Sequence, residues 1–155
     1  MNKQLWLGVL SVGLSLAAAA QTATPVGLWH TISDADGKPR GVVEIGERQK
    51  QLEGRIVGTL RPDESLDRVC EVCPGDRKGQ KLLGMTILSG LRPELKPEGT
   101  GAPTVWSGGE ILDPDNGQTY RVKVELEDSG QTLKVRGYIG ISLLGRTQRW
   151  RRAPQ

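Results

Sequence analysis

Two cysteines and a single histidine bound the chemistry open to this chain. Cys70-Glu71-Val72-Cys73 is its most suggestive motif. A turn keeps Cα(i) and Cα(i+3) within about 7 Å, which overlaps the span of a disulfide, so in an oxidising compartment a small loop staple is expected. A redox site is the sharper alternative, but such sites place the first thiol at a helix N-terminus, and here Pro74-Gly75-Asp76 follows at once with no helical period. Metal binding is the third reading, and His30 is the one imidazole available to complete a ligand set. His30 follows Trp29, so in a strand the two point to opposite faces, and an inward Trp29 leaves His30 on the surface rather than in a general-base position. No second histidine serves a serine nucleophile and no G-x-S-x-G string occurs, which disfavours triad hydrolysis. Asp113, Asp115 and Asn116 superficially resemble a calcium loop, yet the EF-hand spacing and its closing glutamate are missing, and turn formation explains them better. Asp76, Arg77 and Lys78 form either a solvated loop tip or a recognition surface. Arg146, Arg149, Arg151 and Arg152 read as charge protecting a strand edge. No catalytic residue, metal or cofactor is assigned.

The elements that must position these residues are short alternating runs bounded by turn residues, the pattern of a meander. Eight such runs follow Pro25: 27–32, 41–47, 52–60, 82–91, 104–112, 118–127, 132–139 and 145–152. The sixth is the clearest, with Tyr120, Val122, Val124 and Leu126 on one face and Arg121, Lys123, Glu125 and Glu127 on the other. In the fourth, Met85, Ile87 and Leu91 share a face, and the fifth carries Trp106 and the pair Gly108-Gly109, which permits a bend or bulge. Asp113-Pro114-Asp115-Asn116-Gly117 is the strongest turn signal, because Asn-Gly favours the positive φ that closes a hairpin. Residues 61–80 form the longest interruption and hold both cysteines, and loops of that length inside a domain are usually functional or stapled. An open sheet of this kind would leave two edges unpaired, so the expected fold is all-β: an eight-stranded antiparallel meander closed into a barrel.

The chain begins with Lys3, an apolar run from Leu5 to Leu16 and then four alanines, the order of a secretory signal peptide with Ala18 and Ala20 at the cleavage positions. The apolar run is too short to span a bilayer, which takes about 20 residues. The expected division is therefore a signal peptide over 1–20, cleaved after Ala20, and a single β-barrel domain over 21–155, periplasmic or secreted and not membrane-spanning. Removing Lys3 from 21 basic residues leaves twenty against 18 acidic ones. So slight an excess projects no field for a polyanion, and nucleic acid is excluded as a partner; single-strand binding would also need aromatic platforms among the arginines, where only Trp150 stands. With 21 Gly, 9 Pro and no Phe, the core must be built from Val, Ile and Leu around many tight turns.

Gly27-Leu28-Trp29 at the start of the first strand, with arginines in the last, resembles the G-x-W and terminal-Arg arrangement of lipocalin-like barrels. That resemblance implies that Trp29 plugs the closed end and that Arg149 or Arg151 packs over its indole. A wider resemblance runs from Gly27 to Arg151. The strings GLWHTISDADGKPRGVVEI, CEVCPGDRKGQ, GMTIL, GGEILDPDNGQTYRVKVELED, LKVRGYIG and LLGRTQRW are similar to a bacterial secreted family known as domain of unknown function 2147. It implies compartment and fold, and it brings no activity or site residues.

Two functions of different class fit these features. One is a non-enzymatic barrel that binds a small apolar ligand, with Met85, Ile87, Trp106, Tyr120 and Val122 as lumen residues because each lies on the more apolar face of its strand. The other is an interaction module, an inhibitor or assembly factor, that meets an envelope protein partner through the 61–80 loop. A thiol oxidoreductase using Cys70 is a third and weaker option.

Overall fold

The computed structural model describes residues 23–65, 67–95 and 102–154. The expected signal peptide over 1–20 and its expected cleavage after Ala20 lie outside the described residues. The strands are β1 (Gly27–Ile32), β2 (Pro39–Arg48), β3 (Gln51–Thr59), β4 (Thr86–Pro93), β5 (Val105–Asp113), β6 (Gln118–Glu127), β7 (Thr132–Tyr138) and β8 (Gly145–Arg152). Each pairs antiparallel with its neighbour in sequence, and β8 returns to β1, so the sheet closes into the expected eight-stranded barrel. Among the described residues, no helix is long and apolar enough to cross a membrane.

Alternation along the strands fills one half of the barrel solidly. Trp29 pairs across from Val43, Ile45 from Gly54, Leu52 from Leu91, Trp106 from Val124, and Leu133 from Trp150. Apart from Gly54, which has no side chain, all of these are buried in one contiguous core. Burying a large apolar side chain contributes about 1.5–3 kcal/mol, so this cluster is the main source of stability.

β1, β6 and β8 begin and end where the alternation predicts. β4 does not. It starts at Thr86 rather than Leu82, because Leu82 to Met85 close a turn in which the Met85 N–H donates to the Leu82 carbonyl at 3.0 Å. The single apolar face expected for Met85, Ile87 and Leu91 is also broken, since Leu88 and Leu91 are both fully buried and the ladder to β3 shifts register twice. The bend expected at Gly108-Gly109 is present as a register shift between Trp106 and Gly109, with Gly108 at φ 79°. The β5–β6 turn is wider than a two-residue Asn-Gly closure. Gly117 alone takes a positive φ of 74°, and its N–H donates to the Asp113 carbonyl at 2.8 Å.

β8 is not a free edge, which corrects the expectation for its arginines. It pairs along its whole length with β7 but with β1 only through Trp29↔Arg152 and His30↔Arg151. The seam is therefore unzipped towards one end of the barrel, where Asp34 bridges it through Arg146 and through Gln148, whose Nε2 donates at 2.9 Å.

Candidate functional site

The packed half ends at Trp29. Its indole N–H donates to the Pro25 carbonyl at 2.7 Å, and a guanidinium stacks 4.2 Å from the ring centroid. That guanidinium belongs to Arg152, in place of the expected Arg149 or Arg151. Alternation decides the outcome: Arg152 and Trp150 face inwards, whereas Arg149 and Arg151 face out, and Arg149 pairs with Glu127 at 3.0 Å. Arg152 also donates to the carbonyls of Thr24, Val26 and Gly130, tying the segment before β1 and the β6–β7 turn over the barrel floor. Burial pushes its pKa below the ordinary arginine value.

The other half of the barrel is hollow. Towards its mouth the inward positions of β2, β3 and β7 change from Val43, Ile45, Leu52 and Val135 to Gly41, Gly58 and Gly137. The missing side chains leave a cavity of about 690 Å3, within the roughly 300–1,000 Å3 of small-molecule sites. Its apolar wall comes from Val42, Val43, Ile56, Leu82, Ile87, Ile111, Leu112 and Val135, with Trp150 in the lining beside them. Trp150 donates from its indole to Gln148 at 3.0 Å, and Gln148 donates to Asp34, so a polar chain runs from the lining to the rim. Tyr120 also lines the space, and its hydroxyl is held by Asn116 at 3.1 Å and Gln118 at 3.0 Å.

Loops 33–38, 60–85, 114–117 and 139–144 surround the mouth. The long loop folds on itself: Cys70 and Cys73 form the disulfide, Val69 bridges to Lys81, and the Cys70 and Gly79 N–H groups donate at 2.9 and 2.8 Å to Gln80 and Cys70 carbonyls. It docks against the β5–β6 turn, where the bare Cα of Gly117 faces the Val72 carbonyl; a Cβ there would stand 1.9 Å from that oxygen. Arg40 of β2 clamps the two, pairing with Glu64 at 3.0 Å and with Asp115, which Arg68 also reaches at 3.3 Å. The Arg40 guanidinium holds the Asp115 carboxyl below the usual carboxylate range against the opposing effect of burial, and Asp115 in turn raises the Arg40 pKa. Asp36, bonded by Arg61 and by the Lys38 N–H, is lowered to about 2.

Of the five residues read as lumen lining, Ile87 and Tyr120 face the cavity. Met85, Trp106 and Val122 are buried in the core instead. The turn before β4 takes Met85 off the strand, Trp106 stands opposite Val124 in the packed half, and Val122, although level with the cavity-lining Gly137, is fully buried outside the lining. Asp76 and Lys78 are exposed and Arg77 half-buried around the short 3-10 turn Gly75–Arg77, away from the cavity lining. His30 is half-buried on the face opposite Trp29. Asp113 and Asn116 cap turn N–H groups of Asp115 and Gln118, and no metal-holding group of His, Cys, Asp or Glu occurs among the described residues. Arg40, Glu64, Arg68, Asp34 and Gln148 escaped the sequence reading; the switch from Val or Leu to Gly along inward faces was the signal for the cavity itself.

Known proteins place this geometry. No curated protein matches the chain. Among solved structures, protein HP1028 of the human pathogen Helicobacter pylori, which belongs to the lipocalin family, is similar with a TM-score of 0.70 and 21% identity over 86% of this chain and 85% of that one. At that identity the likeness establishes the lipocalin-like barrel and no more. Residues 27–152 match the model of uncharacterized proteins conserved in bacteria, domain of unknown function 2147, and the chain belongs to that bacterial family.

Proposed function

We propose that this protein is a non-enzymatic binder of a small, largely apolar molecule, held in the mouth half of the barrel and used outside the cytoplasm after removal of residues 1–20. The observation that carries the reading is the cavity of about 690 Å3, walled by aliphatic side chains and rimmed by paired charges. A lining that is apolar with a few convergent polar groups suits a ligand held mostly by shape and desolvation. The Cys70–Cys73 disulfide is consistent with an oxidising compartment. To test it, the full chain is expressed in a bacterium and the exported product purified without reductant. Extraction is expected to release a co-purifying apolar molecule, and the intact mass is expected to start at Gln21 and to fall about 2 Da below the reduced chain. A product that yields no such molecule and fails to bind palmitate in titration contradicts the reading.

The second reading, capture of an envelope protein by the 61–80 loop, is supported by a stapled loop that holds Asp76 and Lys78 in solvent. Replacing Asp76, Arg77 and Lys78 together with alanine is expected to abolish partner capture with folding intact. Retained capture contradicts it.

A further inference from the structure

Charge lines the mouth of the cavity, and its cations are already taken. Arg40, Arg68 and Arg146 are the basic residues of the lining. Arg40 engages two carboxylates at once: Nε meets Glu64 at 3.0 Å, while Nη1 and Nη2 meet Asp115, the latter at 3.1 Å. Arg68 reaches the same Asp115 at 3.3 Å, and Arg146 pairs with Asp34, which also accepts from Gln148 at 2.9 Å. Asp113 lines the cavity as well, so the described lining holds one more carboxylate than it has arginines. Asp113 has no basic partner among the described residues. Its Oδ1 accepts from the Asp115 N–H at 3.0 Å and its Oδ2 from Asn116 Nδ2 at 3.2 Å.

We infer, on the basis of the ligand site proposed above, that the polar end of the ligand donates hydrogen bonds and carries no negative charge, so that the site prefers a hydroxyl-headed lipid to the corresponding fatty acid. An apolar chain laid against the aliphatic wall leaves its polar end at the charged mouth. A carboxylate there finds no free cation. To pair with Arg40 it would have to displace Glu64, leaving that half-buried carboxylate without its partner, or Asp115, breaking pairs to two arginines at once. Left unpaired, it would stand among like charges in a partly desolvated site. A head with acceptor atoms alone escapes that repulsion but meets hydroxyls already committed as donors, Thr59 to the Arg40 carbonyl at 3.2 Å and Tyr120 to Gln118 at 3.0 Å. Spare capacity at the mouth lies in the carboxylate lone pairs, since an ionised carboxylate accepts at about four sites and Asp113 fills two from its own turn. A hydroxyl donor satisfies them with charge-assisted bonds.

Palmitate, methyl palmitate and monopalmitoylglycerol share one chain and differ at the head. Their binding to the purified protein is compared by displacement of N-phenylnaphthylamine at neutral pH, below their micelle concentrations. All three are expected to displace the probe through the common chain, and monopalmitoylglycerol to bind at least about tenfold more tightly than palmitate, with methyl palmitate between them. Added salt is expected to narrow the gap by screening the repulsion of palmitate. Glu64→Gln removes one carboxylate at nearly constant shape and frees Arg40 Nε. It is expected to raise palmitate relative to monopalmitoylglycerol at least about threefold, a ratio that a change in folding yield does not move. Palmitate binding as tightly as monopalmitoylglycerol, methyl palmitate matching it, or a ratio unmoved in Glu64→Gln overturns the head-group class while leaving the cavity as a ligand site. Failure of all three to displace the probe overturns the ligand site and the head-group class with it.

Discussion

Arg152 does for the barrel floor what no other single residue does. It covers the face of Trp29 and satisfies three carbonyls from two chain segments. Arg152→Ala removes the cation–π contact and strands those carbonyls, at an expected cost of about 2–4 kcal/mol in urea unfolding. Arg152→Lys is expected to recover only a small part, because a point charge cannot divide itself among three acceptors as a planar fork does. Full stability in Arg152→Lys would show that charge alone suffices. The sequence made Trp29 legible through G-x-W, but a string of arginines at 149, 151 and 152 could not be ordered without the register that turns Arg152 inward.

At the scale of elements, the long loop is a rim and its fastenings are chemical. The disulfide closes a very short ring, so its loss in Cys70→Ser with Cys73→Ser is expected to cost about 2 kcal/mol in the chain-entropy picture. The charged fastenings, Asp36 with Arg61 and Asp115 with Arg40, respond to acid. Both carboxyls lie below their ordinary pKa of 3.8 in the folded protein. Their stabilising effect is therefore complete above about pH 4 and is lost as pH falls towards 2. Urea midpoints are expected to drop across that window, and Asp36→Asn with Asp115→Asn to flatten the drop while lowering the midpoint at pH 6. An unchanged acid profile in the double variant would place the sensitivity elsewhere. The staple was readable from the Cys70–Cys73 spacing. Docking was not, because Gly117 meeting the Val72 carbonyl and Arg40 reaching Asp115 are contacts between segments far apart in the chain.

For the whole molecule, the barrel was legible because alternation in the β6 strand, turn residues between runs and the unpaired-edge problem all point to the same closure. The cavity was less so. Face alternation says which side chains turn inward, and Ile87 and Tyr120 follow from it, but depth along the axis separates Trp106 in the packed half from Gly41, Gly58 and Gly137 around the hollow, and Val122, level with Gly137, is covered by its neighbours. Depth is set by shear and bulges, which a single strand does not display.

Gly137 offers the most direct test. It lines the cavity, and the nearest atoms to a Cβ built on it belong to Tyr120 and Ile111 at 3.6–3.9 Å, ordinary contact distances. Gly137→Leu is therefore expected to fill the space without displacing the wall. Titrating palmitate into the unsubstituted protein and into Gly137→Leu by calorimetry is predicted to show one site in the former and at least about tenfold weaker binding in the latter, with thermal stability unchanged or higher. Equal affinity in both proteins would contradict a ligand site in the barrel.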